Sequence, residues 1–98
     1  MIFVIATAHI KPGTLDACLA AARPCIAETV KENGCISYDV HVSITEPEKI
    51  VFVERWESKA HLDAHTQTEH FKVWRAKGAE FVVGRTVEVI TPAEIGGL

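Results

Sequence analysis

The sequence predicts an α+β fold of element order β-α-β-β-α-β, an antiparallel sheet with its helices on one face. Three observations predict it. Residues 2–10 and 35–45 are dense in β-branched residues or alternate apolar with polar, as strands do. The stretches after Thr14 and after Ser58 instead repeat apolar residues at helical spacing. Pro-Gly, Asn-Gly and Glu-Pro steps stand between segments, where the chain has to turn.

The first strand covers residues 2–10. Ile2, Val4, Ala6, Ala8 and Ile10 make one wholly apolar face. Phe3, Ile5, Thr7 and His9 make the other, which turns polar toward its end, as expected where one end of a strand lines a cavity. Pro12-Gly13 turns the chain, and Thr14 is placed to cap the next helix. Leu15, Leu19, Ala22, Ile26 and Val30 trace that helix over about five turns. Pro24 removes a backbone donor, so a kink or loosened turn is expected there. Asn33-Gly34 is expected to end the helix as a left-handed cap.

In the strand over 35–45, Ile36, Tyr38, Val40, Val42 and Ile44 share one face, and Cys35, Ser37, Asp39, His41 and Ser43 the other. Glu46-Pro47-Glu48-Lys49 turns the chain into a strand over 50–56, so the pair reads as a hairpin. Ser58 is placed to cap a helix reaching about Thr66. Thr66 and Glu69 have the spacing of a capping box, so a new helix is expected to start near there, with Phe71, Trp74, Gly78 and Phe81 on one face. Residues 82–91 form the last strand, and the tail TPAEIGGL holds turn residues. This is the ferredoxin-like arrangement. Its helices cover one face of the sheet only. The other, which carries residues such as Val51 or Val53, also has to be hidden, and a second copy is the simplest cover.

The 98 residues are read as one domain, 1–98. A hydrophobic content of 48% excludes a disordered chain and is high for so short a one, which again favours an oligomer. A net charge of −3, with no basic run longer than two residues, leaves no electrostatic footprint for nucleic acid. No apolar run is long enough to span a bilayer. MIFVIATAHI lacks a basic n-region and reads as a strand, so the expected location is the cytoplasm. Cys18, Cys25 and Cys35 are odd in number with no C-x-x-C pair, and read as buried core thiols.

The run VERWESKAHLDAHTQTEHF, from Val53 to Phe71, carries more. Glu54, Trp56, Glu57 and Ser58 are followed by Leu62 and His65, then by Thr68, His70 and Phe71. This resembles the signature of the antibiotic biosynthesis monooxygenase family, and the likeness extends to the opening strand with its Pro-Gly turn and to Glu32, Gly34 and Cys35. The quinol monooxygenase branch is the most similar, through AHL-x-AH-x-QT-x-H. The resemblance implies a homodimer whose two sheets close into a dimeric α/β barrel. It implies a mostly apolar pocket between sheet and helices. It also implies oxygenation of electron-rich aromatics by dioxygen, with no metal or organic cofactor. Two branches fit less well. Anthrone-oxidising relatives carry an asparagine and a tyrosine where this chain has Phe52 and Leu62. The haem-degrading branch has asparagine, tryptophan and histidine where this chain has Thr7, His65 and Trp74.

Such chemistry needs a base for a phenolic proton, donors for a developing anion, and apolar walls. His65 and His70 are the expected catalytic residues. Thr7, His9, Trp56, Phe71 and Trp74 are the expected substrate-binding ones. On one continuous helix His65 and His70 would face different ways, so they converge only if the helix breaks between them. His61 and His65, four apart, could clamp a metal with His70 or Glu57, but this is not one of the usual closed ligand sets and no metal site is assigned. Glu54 and Arg55 point to opposite faces of their strand. Two other functions compete. One is isomerisation or tautomerisation of a small carbonyl compound, against which the lack of a clustered Lys/Arg set argues if the substrate is phosphorylated. The other is ligand binding by a non-catalytic dimer.

Overall fold

A computed structural model describes residues 1–98. It contains β1 (Ile2–Ile10), α1 (Leu15–Thr29), β2 (Cys35–Val42), β3 (Lys49–Trp56), α2 (Lys59–His65), α3 (Glu69–Gly78) and β4 (Val82–Ile90). The four strands form one sheet of order β2-β3-β1-β4, with every neighbouring pair antiparallel. This is the ferredoxin-like α+β fold expected, with the second helical region divided in two.

Register decides which side chains face the helices. Ile2, Val4, Ala6 and Ala8 pair with Trp56, Glu54, Phe52 and Ile50 across β1 and β3. Together with Cys18, Ala22 and Cys25 of α1 and Trp74 of α3, most of these form the buried core. The wholly apolar face of β1 is therefore the inner one. Phe3, Ile5, Thr7 and His9 lie on the outer face, so the side chains at the polar end of that row point away from the helices. Arg55 also lies on the outer face, with its guanidinium 5.3 Å from the Phe3 ring centre, while its neighbour Glu54 is buried inside.

Several local expectations are corrected. Thr14 does not cap α1; its Oγ1 donates back to the Lys11 carbonyl at 2.6 Å. α1 runs unbroken through Pro24, which sits on its exposed side. It ends at Thr29, and a turn over 30–34 follows before Gly34, whose φ of 85° only glycine adopts freely. β2 stops at Val42. Its register shifts between Cys35 and Ser37, so Ile36 is the extra residue of a bulge and is 50% exposed. The bulge turns Cys35 onto the inner face, opposite Trp56, where simple alternation had put it outside.

The break between α2 and α3 is made by Thr68, not by Thr66. Thr68 Oγ1 accepts from the Phe71 amide at 3.3 Å and donates to the His65 carbonyl at 2.7 Å. One hydroxyl thus ends one helix and starts the next. Thr66 belongs to the end of α2 and donates to the Asp63 carbonyl at 2.7 Å. Ser58 caps α2 as expected, accepting from the His61 amide at 3.3 Å. No helix is long and apolar enough to cross a membrane.

Candidate active site

His65 is the last residue of α2 and only 1% exposed. Its ring lies among Trp56, Phe71 and Tyr38, at centroid separations of 4.8, 5.0 and 5.4 Å. Its Nδ1 is 2.6 Å from Oε2 of Glu32, in the turn after α1. The same oxygen is 2.8 Å from Nε2 of His70, the second residue of α3. A carboxylate only accepts hydrogen bonds, so both rings present N–H to it. His65 then carries its lone pair on Nε2. That atom is buried and has no hydrogen-bond partner in the protein. Burial pushes the His65 pKa below its ordinary value, while the bond to Glu32 and its charge pull it back up. The result is a neutral imidazole near neutral pH with an unused basic nitrogen.

The helix break brings His65 and His70 together, as the sequence required if both were to serve. What joins them is Glu32, which the sequence reading had not placed in the site. The Gly34 turn explains how Glu32 gets there. The Gly34 carbonyl accepts from the Glu57 amide at 2.8 Å. A Cβ on Gly34 would stand 2.2 Å from Cγ of His61, so the turn lies flat against the start of α2. His61 itself is held by Ser58, with Nδ1 2.7 Å from Oγ, and takes no part in the His65 cluster.

A second buried acid stands nearby. Glu54 is 6% exposed on the inner face of β3, and Trp56 Nε1 donates to its Oε1 at 3.0 Å. Burial raises its pKa to about 7, against the lowering effect of the Trp56 bond, with the charge of Glu32 adding to the rise. Tyr38, buried on β2, stays a neutral phenol because burial pushes its pKa far upward, with the negative charge of Glu54 adding to the rise.

Between the sheet and α2–α3 lies a cavity of about 260 Å³, just under the roughly 300–1,000 Å³ usual for small-molecule sites. Phe52, Phe71 and Trp74 wall it, with Phe52 and Trp74 ring centres 5.7 Å apart. His65, Glu54 and Tyr38 border it too. Val87 and Val89 of edge strand β4 form its open side and are 52% and 46% exposed.

The structure therefore sorts the expected site residues. His65, Phe71 and Trp74 line the cavity. Thr7 borders it between Ala6 and Ala8, although its side chain belongs to the far face of β1. His70 stands behind His65 and does not line the cavity. Trp56 is fully buried beneath His65 and Glu54, so it holds those two groups and forms no wall. His9 is exposed on the outer face between Lys49 and Gly84, and its expected place in the pocket is withdrawn. The expected lack of a basic cluster is also corrected: Lys59, Arg75 and Arg85, scattered in the sequence, all border the cavity.

Glu32, His65 and His70 are the three donors that could hold a metal ion, with ligand atoms within 4.8 Å of one another. Ligands at about 2.0–2.2 Å on a tetrahedral ion stand roughly 3.4 Å apart. The two contacts to Glu32 Oε2, at 2.6 and 2.8 Å, are shorter than that and are hydrogen-bond distances. The set as it stands is a hydrogen-bonded triad.

An antiparallel sheet covered on one face, with a small aromatic-walled cavity and a buried imidazole beside it, defines a ferredoxin-like α+β domain. The chain belongs to the antibiotic biosynthesis monooxygenase family, whose profile matches residues 1–77. It is 31% identical over 102 aligned residues to the Escherichia coli K12 protein named "Probable quinol monooxygenase YgiN", covering 94% of this chain and 98% of that one. The solved structure of Rv0793 from Mycobacterium tuberculosis superposes with a TM-score of 0.89 at 30% identity, covering 98% of each chain. A Deinococcus radiodurans structure of the same family name superposes at 0.92 over 100% of this chain and 98% of that one. Its 14% identity makes it a likeness of fold alone.

Proposed function

We propose that this chain is a cofactor-independent monooxygenase of a quinol or similar electron-rich phenol, acting as a homodimer. The observation that carries the reading is the His65 ring: Nδ1 fixed by Glu32, Nε2 buried and unpartnered, and the ring bordering an aromatic-walled cavity. His65 Nε2 takes the phenolic proton, and the Glu32 carboxylate stabilises the imidazolium that results. The electron-rich phenolate then reduces dioxygen. One oxygen atom bonds to a ring carbon and the other leaves as water. The four electrons this needs come from the quinol, two from its conversion to a quinone and two from the C–H bond that becomes C–O. Glu54, protonated up to about pH 7, is placed to donate to the developing peroxide. His70 acts through Glu32, as the outer member of the triad.

Family membership and the likeness to a quinol monooxygenase support this reading. Two features support the dimer. The outer sheet face carries Phe3, Ile5, Val51 and Val53 side by side, and no element of the chain covers it. The test is oxygen uptake by metal-stripped protein with a panel of reduced naphthoquinols and benzoquinols. Uptake above autoxidation that His65→Ala abolishes is expected. No uptake from folded wild-type protein across the panel would sink the oxygenase reading and leave the isomerase and binding alternatives.

A further inference from the structure

The two ends of the cavity differ in chemistry. Glu54 pairs with Val4, and Val4 pairs with Val89, so the acid–base end lies at that level of the sheet. Arg85 pairs with Ala8, four residues further along β1, about 13 Å away at the rise of an extended strand. Phe52, opposite Ala6, and Trp74 stand between. At the far end Arg85 of β4 meets Arg75 of α3. Both border the main cavity and also a smaller contiguous cleft that includes Gly78 and Ala79.

Both arginines are exposed to solvent and to the cavity mouth, and both are free of polar partners within the protein. Neither guanidinium belongs to any of the protein's ion pairs, which use only Lys31, Lys59, His65 and His70. Neither makes a side-chain hydrogen bond. Arg75 is positioned by Phe71, whose ring centre is 5.6 Å from its Cζ. Desolvation, and then the charge of Arg75, lower the pKa of Arg85, so its charge bears a cost from its surroundings. The carboxylates that border the cavity do not relieve it. Asp63 is bound to Lys59, and Glu54 is buried at the other end, where its pKa is raised to about 7.

We propose that Arg75 and Arg85 bind a carboxylate carried by the aromatic substrate, so that the substrate is an acidic phenol or quinol with its hydroxyl at the His65 end. The inference rests on the reading of the cavity as an aromatic site. Two planar guanidinium groups supply paired donors matched to a carboxylate. Both arginines and His65 border the same cavity, so a two-ring aromatic substituted at its opposite ends is the ligand class proposed to bridge them. Anchoring the acid group at the arginines would point the hydroxyl toward the His65 end, which turns binding into orientation.

The test is calorimetric titration of the wild-type protein with 6-hydroxy-2-naphthoate and with 2-naphthol. Neither is a quinol, so binding is read without turnover. The naphthoate is expected to bind at least about tenfold more tightly, with a preference that shrinks as salt rises. The Arg75→Gln, Arg85→Gln double variant is expected to bring the two affinities together, chiefly by loss of naphthoate affinity. Equal affinities in the wild type, a preference that survives the double variant, or no binding of either compound to folded protein would overturn the proposal. A clear naphthoate preference without oxygen uptake on any quinol would instead bring down the oxygenase reading and leave the anion subsite standing.

Discussion

Glu32 is the residue on which the candidate site turns. One of its oxygens fixes both histidines, so Glu32→Gln, nearly equal in size, should leave the fold intact and lose the acceptor. Oxygenation by Glu32→Gln is expected to fall by about 10²-fold, the lower range of what a positioned base contributes. The pH profile gives a readout that a structural role would not move. Glu32 raises the pKa of His65, so its loss should shift the acid limb of kcat/KM to lower pH while the plateau drops. An unchanged profile would remove Glu32 from the machinery. Glu54 has a signature in stability. Its pKa is raised from 4.5 to about 7, so the folded protein holds a proton there that the unfolded chain releases. Wild-type stability should therefore fall as pH rises from about 4.5 to about 7, by about 3 kcal/mol relative to Glu54→Gln. His65 works in the opposite direction, since its lowered pKa makes stability rise with pH toward its ordinary value. It is common to both proteins and cancels in the difference. Urea unfolding of the pair across this range checks the sign.

At the scale of elements, two small features hold the site together: the Gly34 turn and the Thr68 junction. Gly34→Ala meets both a φ of 85° and the His61 ring. The backbone conformation alone costs roughly 1–2 kcal/mol, and the clash should push the turn, with Glu32, away from α2. A lower melting temperature together with weakened oxygenation is expected. Full activity would mean that Glu32 is held by something else. Thr68→Ala removes the hydroxyl shared by α2 and α3 and should cost about 1 kcal/mol by thermal unfolding. The helix break itself was legible in the sequence, but its cap was not. Thr66 and Thr68 both precede acidic or polar residues at plausible spacing, and only the path of the chain out of α2 chooses between them. Cys35 departs from the alternation for a related reason, since alternation holds for a regular strand and a one-residue bulge reverses it.

For the whole molecule, the uncovered sheet face makes the clearest claim. If a second copy packs there, Val53→Asp, which puts a charge between Ile5 and the Asp39 of the neighbouring strand, should give a monomer in sedimentation velocity while the wild type sediments as a dimer. A monomeric wild type at working concentrations would remove the barrel.

The element order, the antiparallel ferredoxin-like arrangement and the segment from Val53 to Phe71 that places the chain in its family are all legible along the chain. These rest on local periodicity and on contiguous motifs, which are properties of neighbours along the chain. His65 is legible too, because that histidine lies within the motif. Folding alone brings Glu32 to His65 and His70, buries Glu54, turns His9 away, and sets Arg75 and Arg85 at one end of the cavity. The pairs that matter stand 33 and 38 residues apart, from Glu32 to each histidine. Their encounter depends on the register of strands and the direction of turns, which no local pattern encodes.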